Sequence, residues 1–537
     1  MRRPVAAGLK VPLKSFLTSK AAFFILFAII LFLAFFFRII GLEKRPLHTD
    51  EAVHGVKFGY LLENDDYRYD PHEYHGPTLI FSTLVPAWIK GSQNIKNVSV
   101  TMLRSVPVFY GMLLVIITLS LLPLTKRSVT LSAALLTAVS PAFVFFSRYY
   151  IMEIMLVLFT VALILSLHRY YLSLQMRWII LAGALAGLMH ATKETCIITW
   201  IAVFSAGIMV LLTKKGELRK TWQRLPKAHL VTGLLSAIIV SSLLFTSFFR
   251  HPRGIIDSIL TFQIYLNRGS GDLTAHIHPW FSYFQWLLWN KQTGTPLWTE
   301  FWILSLGMVG ALRIFSSPPQ KHRHFWQFLT IYTLLMTLIY AAIPYKTPWS
   351  MLSFYHGWLL LAAFAVAELA AQRASRIFII VYIFLGCSHL SLQSWQLIHD
   401  HDTDESNPYI YAHTHRDIYK LVDGIHELCR ASTQGQKECL EIICPGDDYW
   451  PLPWYLRDCA NVGYYNHVDL QYPAARIIVS SPSMQEGLVA KLYELPPPGQ
   501  RNLYIPFFKN GVLLRDGVEL DLYVRKDLWD EWYQNSP

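Results

Sequence analysis

Residues 21–40 are apolar almost without interruption, and about twenty helical residues span roughly 30 Å, the thickness of a bilayer's hydrocarbon core. Runs of the same kind recur at 106–124, 128–146, 153–167, 178–190, 195–212, 230–249, 297–315, 325–343, 350–370 and 377–395. They predict eleven membrane spans, with a further apolar stretch at 77–90 lying as a helix near the interface. Composition agrees: 53% of the 537 residues are hydrophobic and 15% charged, against about 25% charged in soluble proteins.

Charge sets the orientation. Arg2, Arg3, Lys10, Lys14 and Lys20 precede the first run with no acidic residue among them, which places the N-terminus in the cytoplasm. The first run is too long, and lacks the small-residue cleavage site, for a signal peptide. Lys214, Lys215, Arg219, Lys220, Arg224 and Lys227 crowd one loop and mark the same side. Because the cations cluster between apolar runs, the net charge of +11 reflects membrane topology, and nucleic-acid binding is not expected. An odd number of spans then puts the loop at 42–76 and the C-terminal region outside the cytoplasm.

The chain divides into a membrane part, 1–396, and a soluble α/β domain, 397–537. In the latter, short apolar runs at 440–444 and 476–480 look like buried strands and 418–429 has helical spacing. Four cysteines lie there, Cys429, Cys439, Cys444 and Cys459. Their spacing fits no zinc pattern, and outside the cytoplasm they allow three disulfide pairings. Cys196 and Cys387 sit in apolar runs as small hydrophobes.

The chemistry gathers at the predicted outer ends of the spans. His48-Thr49-Asp50-Glu51-Ala52-Val53-His54-Gly55 follows the first span. There Thr49 or Asp50 can cap a helix over about 51–63, and both carboxylates are favoured in ionised form at its N-terminus. Other polar groups on that side are Asp70, His72, Glu73 and His75, the pair Arg148 and Glu153, and Lys193 with Lys346. Each also has a structural reading: Asp50 as a helix cap, Glu51 as a salt-bridge partner, Arg148 paired with Glu153, the lysines snorkelling to headgroups. His54, His72, His75 and Glu153 form a candidate set for a divalent metal, with His54 one helical turn beyond Asp50.

The order of these features resembles the GT-C superfamily, in particular the protein O-mannosyltransferase and aminoarabinose-transferase branch (glycosyltransferase family 39-like). The resemblance rests on Asp50-Glu51 after the first span, on His75-Gly76-Pro77 where the family has a His-Pro-Pro-like element, and on Ser147-Arg148 followed by Glu153, where Asp is commoner. Thr192-Lys193 completes the set. His48-Thr49-Asp50-Glu51-Ala52, Tyr345-Lys346-Thr347-Pro348-Trp349 and Asn407-Pro408-Tyr409-Ile410-Tyr411-Ala412-His413-Thr414 are similar to prokaryotic members described as flippase-activity-associated.

The resemblance implies a polytopic α-helical enzyme of the inner membrane. It would transfer a sugar, with inversion, from a polyprenyl-phosphate donor to a lipid, glycan or protein acceptor on the outer face. It implies Asp50 as base, with Glu51 as accessory carboxylate. Arg148, Lys193 and Lys346 would hold the donor phosphate, and His54, His75 and Glu153 would contact substrate. No cofactor is required beyond the candidate metal. The alternative is a non-enzymatic accessory to flipping or export of lipid-linked oligosaccharides. Ionisable residues gathered at span ends, not at mid-span, favour the enzyme.

Overall fold

The computed structural model describes residues 20–72, 75–213, 216–269, 276–316 and 322–535. Glu73, Lys214, Lys215 and the cations before Lys20 lie outside the described residues.

Every predicted span is helical. Helix α1 is Lys20–Ile39; α2 (Thr49–Asn64) and α3 (Thr78–Lys90) follow; then come α4 (Val100–Ile116), α5 (Arg127–Val139), α6 (Pro141–Phe146), α7 (Glu153–Ser173) and α8 (Met176–His190). The array continues through α9 (Cys196–Leu212), α10 (Lys227–Phe245), α11 (Phe301–Ser316), α12 (Arg323–Ala342), α13 (Leu352–Ala371) and α14 (Arg373–His399). Among the described residues seven helices are long and apolar enough to cross a membrane: α1, α4 with its extension to Leu121, α7, α10, α12, α13 with the turn from Pro348, and α14. α9 reaches that length only as a bent pair with the helix Glu217–Arg224, and α5, α8 and α11 are shorter apolar helices. The run at 128–146 breaks where its chemistry requires. Pro141 has no amide to donate and drives Ser140 to extended backbone (φ −59°, ψ 121°), so α5 ends and α6 restarts.

Packing is inverted relative to a soluble protein. On α1, Phe24, Ile25, Ile29, Phe32 and Phe35 face outward, while Phe23, Phe27, Ala34, Phe37 and Arg38 are buried. α10 buries only Gly233 and Phe245 and leans on α8 through small residues. A Cβ at Gly183 would lie 2.0 Å from the Gly233 carbonyl oxygen, and one at Gly187 2.5 Å from that of Ala237. This is the close backbone approach that a Gly-x-x-x-Gly spacing permits in lipid.

Helix α14 runs to His399, past the sequence boundary at 396. The C-terminal residues then form helix α15 (Ile418–Ala431) and strands β1 (Cys439–Ile443), β2 (Asn461–Tyr465), β3 (Ile477–Ser480), β4 (Tyr504–Pro506), β5 (Val512–Arg515) and β6 (Val518–Arg525). The sheet order is β2-β1-β3-β6-β4, with β5 also on β6. β1 pairs in parallel with β2 and β3, and β6 pairs antiparallel with β3, β4 and β5. One face packs on α15 through Leu421, Ile425, Leu428, Ile442, Val479 and Leu522, a core separate from that of the membrane helices.

The α8–α10 contact gives a direct test. Gly183→Leu should destabilise by about 1–3 kcal/mol through overpacking, read as a lower unfolding temperature of the detergent-purified chain. Gly207→Leu on α9, where a Cβ meets nothing within 4 Å, should leave that temperature unchanged.

Candidate active site

Two adjacent acidic residues at the start of α2 have opposite environments. His48 is the N-cap: its Nδ1 accepts from the Asp50 amide at 3.0 Å, and the Glu51 carboxylate accepts from the His48 amide at 3.1 Å. The cap is therefore His48, neither Thr49 nor Asp50 as the sequence suggested, because an imidazole nitrogen reaches the first-turn amide as a hydroxyl would. Its Nε2 lies 3.1 Å from the Tyr411 carbonyl. One nitrogen accepts and the other donates, which fixes the neutral Nε2–H tautomer.

Glu51 is fully buried. Arg104 grips it with two bonds (Nε 2.8 Å, Nη2 2.7 Å). Arg45 donates at 3.2 Å, and the Tyr150 amide at 2.9 Å. Burial alone would raise its pKa, but Arg104 and Arg45 outweigh burial and hold it at about 2. Of the two roles expected for Glu51, accessory carboxylate and salt-bridge partner, its contacts are those of the second. Asp50 is different. Its side chain is 44% exposed, and among the described residues no side chain donates to its carboxylate within hydrogen-bond distance; His48 Nδ1 stands 3.9 Å away.

Around Asp50 the separated motifs converge. The His48 ring packs on Tyr149 (5.5 Å between centroids), Trp349 (5.9 Å) and His413 (5.1 Å). Trp349 meets Tyr411 at 5.9 Å, and the Tyr411 hydroxyl bonds His276. The charge of Asp50 acts on His54, Tyr149, His276 and Tyr411. His54 is buried, feels Asp50, His75 and Lys193, and is lowered by burial to about 4. Its Nδ1 and the Glu153 Oε2 are buried polar atoms without a protein partner.

The cations are placed unevenly. Lys193 is buried and bonds Glu153. Burial pushes the Lys193 pKa down, the Glu153 carboxylate outweighs it, and the net shift is upward. His75 bonds Glu194 at 2.7 Å. The loop holding it docks tightly, since Thr78 donates from amide (3.0 Å) and hydroxyl (2.6 Å) to the Ala191 carbonyl. A Cβ at Gly76 would lie 2.2 Å from that same oxygen, so the Gly in His75-Gly76-Pro77 is sterically required.

Arg148, expected to pair with Glu153 or hold phosphate, instead donates to the carbonyls of Phe37 (3.1 Å), Arg38 (3.2 Å) and Gly41 (3.2 Å). It caps the end of α1, where carbonyls lack helical partners. Lys346 likewise donates to the Ala341 and Ile343 carbonyls at the end of α12 and lies over the Tyr283 ring. His72 is held by its amide to Asp70 (2.9 Å) at the surface. Among the described residues no group of three or more His, Cys, Asp or Glu side chains could hold a metal ion. The set His54, His72, His75 and Glu153 is therefore not assembled as a ligand set.

Sequence reading missed Arg45, Arg104, His276 and Glu300. Arg104 has no local signal, because its partner lies 53 residues away. Glu300 is fully buried and accepts from Ser140 (2.9 Å), the Ala142 amide (2.8 Å), Tyr355 (2.6 Å) and Tyr409 (3.2 Å). It ties the 407–414 segment to the N-terminus of α6.

Two measurements check this division of labour. Glu51→Gln leaves the buried Arg104 without its counter-ion and should destabilise by about 3–5 kcal/mol, seen as a sharply lower unfolding temperature. Asp50→Asn should match the parent, and equal behaviour of the two variants would refute the assignment. For His54 the folded pKa lies below the ordinary 6.5. The unfolded chain therefore binds the extra proton, and stability present above pH 6.5 is lost as pH falls towards 4. The loss, at most about 3 kcal/mol, should flatten in His54→Gln.

Residues 82–245 match the family described as dolichyl-phosphate-mannose-protein mannosyltransferase. No curated protein sequence matches the chain. Among solved structures it is similar to ArnT from Cupriavidus metallidurans bound to undecaprenyl phosphate, at 12% identity and a TM-score of 0.64, over 94% of this chain and 98% of that one. It is also similar to the Archaeoglobus fulgidus oligosaccharyltransferase in its apo form, at 13% identity and a TM-score of 0.56, over 88% of this chain and 71% of that one. The archaeal oligosaccharyltransferase AglB from Archaeoglobus fulgidus, in complex with an inhibitory peptide and a dolichol-phosphate, gives 13% identity and a TM-score of 0.51 over the same shares. The chain shares the fold of ArnT and of the archaeal oligosaccharyltransferase, and within it residues 82–245 resemble the mannosyltransferase family.

Proposed function

We propose that the chain transfers a sugar from a polyprenyl-phosphate donor to a hydroxyl on a lipid, glycan or protein acceptor, with Asp50 as the base. The observation that carries the proposal is the contrast at the start of α2: Glu51 is sealed, whereas Asp50, next to it, is half-open among residues drawn from four distant motifs. Transfer needs one group to take the acceptor's proton and positive charge to receive the departing phosphate. Asp50 meets the first need, half-exposed at a helix N-terminus. Lys193 supplies the second.

His75 and the unpartnered Nδ1 of His54 and Oε2 of Glu153 are the substrate contacts, since buried polar atoms without partners call for a ligand that completes them. Inverting displacement needs a single base, so no covalent sugar–enzyme intermediate enters, and no step is routed through a metal. The match to the mannosyltransferase family over 82–245 and the lipid phosphates named in the related structures support a lipid-linked donor. The five cations before residue 21 support a cytoplasmic N-terminus in the inner membrane, with α2 and the C-terminal domain on the outer face.

The test is transfer of labelled sugar from a polyprenyl-phosphate donor to membrane acceptors. Asp50→Asn should lower the rate by about 10²- to 10⁴-fold at unchanged protein level. Undiminished transfer would remove Asp50 as base. A null result for both forms, with lipid-linked oligosaccharide export still dependent on the chain, would favour the accessory role.

A further inference from the structure

The segment 449–459 of the C-terminal domain bears directly on α2 and its neighbours. A Cβ at Gly55 would come within 2.8 Å of the Trp454 ring. The Tyr455 hydroxyl accepts from the Leu47 amide at 2.9 Å. Arg457 donates to the carbonyls of Ile95 and Val98, both at 3.3 Å, and Lys96 to that of Asp458 at 3.3 Å. Whatever fixes this segment to its own domain therefore also fixes α2.

At its end stands Cys459, packed against the domain core that contains Cys429 of α15. The two thiols interact directly with each other, and His426, one turn before Cys429, interacts with Cys459. Cys439 is exposed at the start of β1 and Cys444 is buried at its far end. Cys429 and Cys459 are thus the two of the four that stand together, and Cys439 is left exposed.

We infer that Cys429 and Cys459 form a disulfide that staples the α2-bearing segment to α15. The inference rests on the outer-face placement proposed above, because disulfides persist in oxidising compartments. Bond formation uses an external dithiol–disulfide oxidant. The Cys459 thiolate attacks one of its sulfurs and expels a thiolate. Cys429 then loses its proton and attacks the Cys459 sulfur, expelling the second. The oxidant gains two electrons, and the two cysteines lose two protons. The Cys459 pKa is lowered to about 5, first by its bond to Cys429 and then by His426, which suits the attacking sulfur.

The experiment treats wall-stripped cells carrying the full chain with a membrane-impermeant maleimide, then maps thiols by non-reducing digestion and mass spectrometry. The expected result is Cys439 alkylated from outside and the Cys429 peptide linked to the Cys459 peptide, a link that Cys439→Ala retains. Cys439 alkylated from outside with Cys429 and Cys459 both recovered as thiols, or bonded to other cysteines, would overturn the disulfide and leave the topology standing. Cys439 reactive only in inverted membranes, with both thiols free, would overturn both. In the linked protein, reduction should raise trypsin cleavage after Arg457 by about tenfold, and Cys429→Ala should reproduce that rise without reductant. No change in cleavage would overturn the stapling role.

Discussion

The Glu51–Arg104 pair is the interaction on which the candidate site depends. Arg104 also donates to the carbonyls of Leu42 (2.5 Å), Arg45 (2.9 Å) and Pro46 (3.1 Å), so one guanidinium on α4 gathers the whole chain reversal between α1 and α2. Glu51 answers by collecting Arg45, the His48 amide and the Tyr150 amide. Four groups from three stretches of chain meet at one carboxylate. A buried ion pair adds little net stability against an apolar alternative, but removing one partner is severe. Its contribution is register: it sets where α2 begins, and hence where Asp50 stands.

The same physics recurs at other helix ends. Arg38 is fully buried in α1, yet it donates to the carbonyls of Thr137 (2.9 Å) and Ala138 (3.0 Å) at the end of α5 and to Ser147 at 3.2 Å. Arg148 serves the end of α1 in this way, and Lys346 the end of α12. Glu300 does the reverse at the N-terminus of α6. Where lipid removes water as the alternative partner, helix termini need such side chains. Much of the ionic content that looks functional in the sequence is consumed by this architecture. What is left over, Asp50 with the unpartnered atoms of His54 and Glu153, marks the site more sharply than the full set of charges does.

The apolar helices were legible because a twenty-residue apolar run has one common physical explanation, but of the eleven expected spans only seven are, among the described residues, single helices long enough to cross a membrane. The helix at 418–429 and the strands at 440–444 and 476–480 emerge within a few residues as α15, β1 and β3. Strand β6 was missed, although Val518, Leu520, Leu522 and Val524 alternate with mostly polar residues and three of these four are buried; the hairpin with β5 turns at Gly517 (φ 73°). The roles within the site were not legible. Adjacent residues on a helix point about 100° apart, so Asp50 and Glu51 share a motif but not an environment. Which one is sealed depends on Arg104, 53 residues along. Arg148 misled for a related reason: its carbonyl acceptors have no signature in sequence.

This geometry also bears on how a domain beyond the last membrane helix can act on a membrane site. α2 is pinned at its N-terminus by Glu51 and pressed at Gly55 by Trp454. The Tyr411 carbonyl holds the His48 ring, and the Thr414 hydroxyl donates at 2.7 Å to the Leu47 carbonyl. Three of these four constraints involve residues beyond the last membrane helix. The helix bearing Asp50 is thus not a loop awaiting substrate but an element clamped between the membrane array and the C-terminal domain. Since a base must sit within hydrogen-bond reach of the proton it takes, the C-terminal domain would share in setting the position of Asp50 in the proposed role.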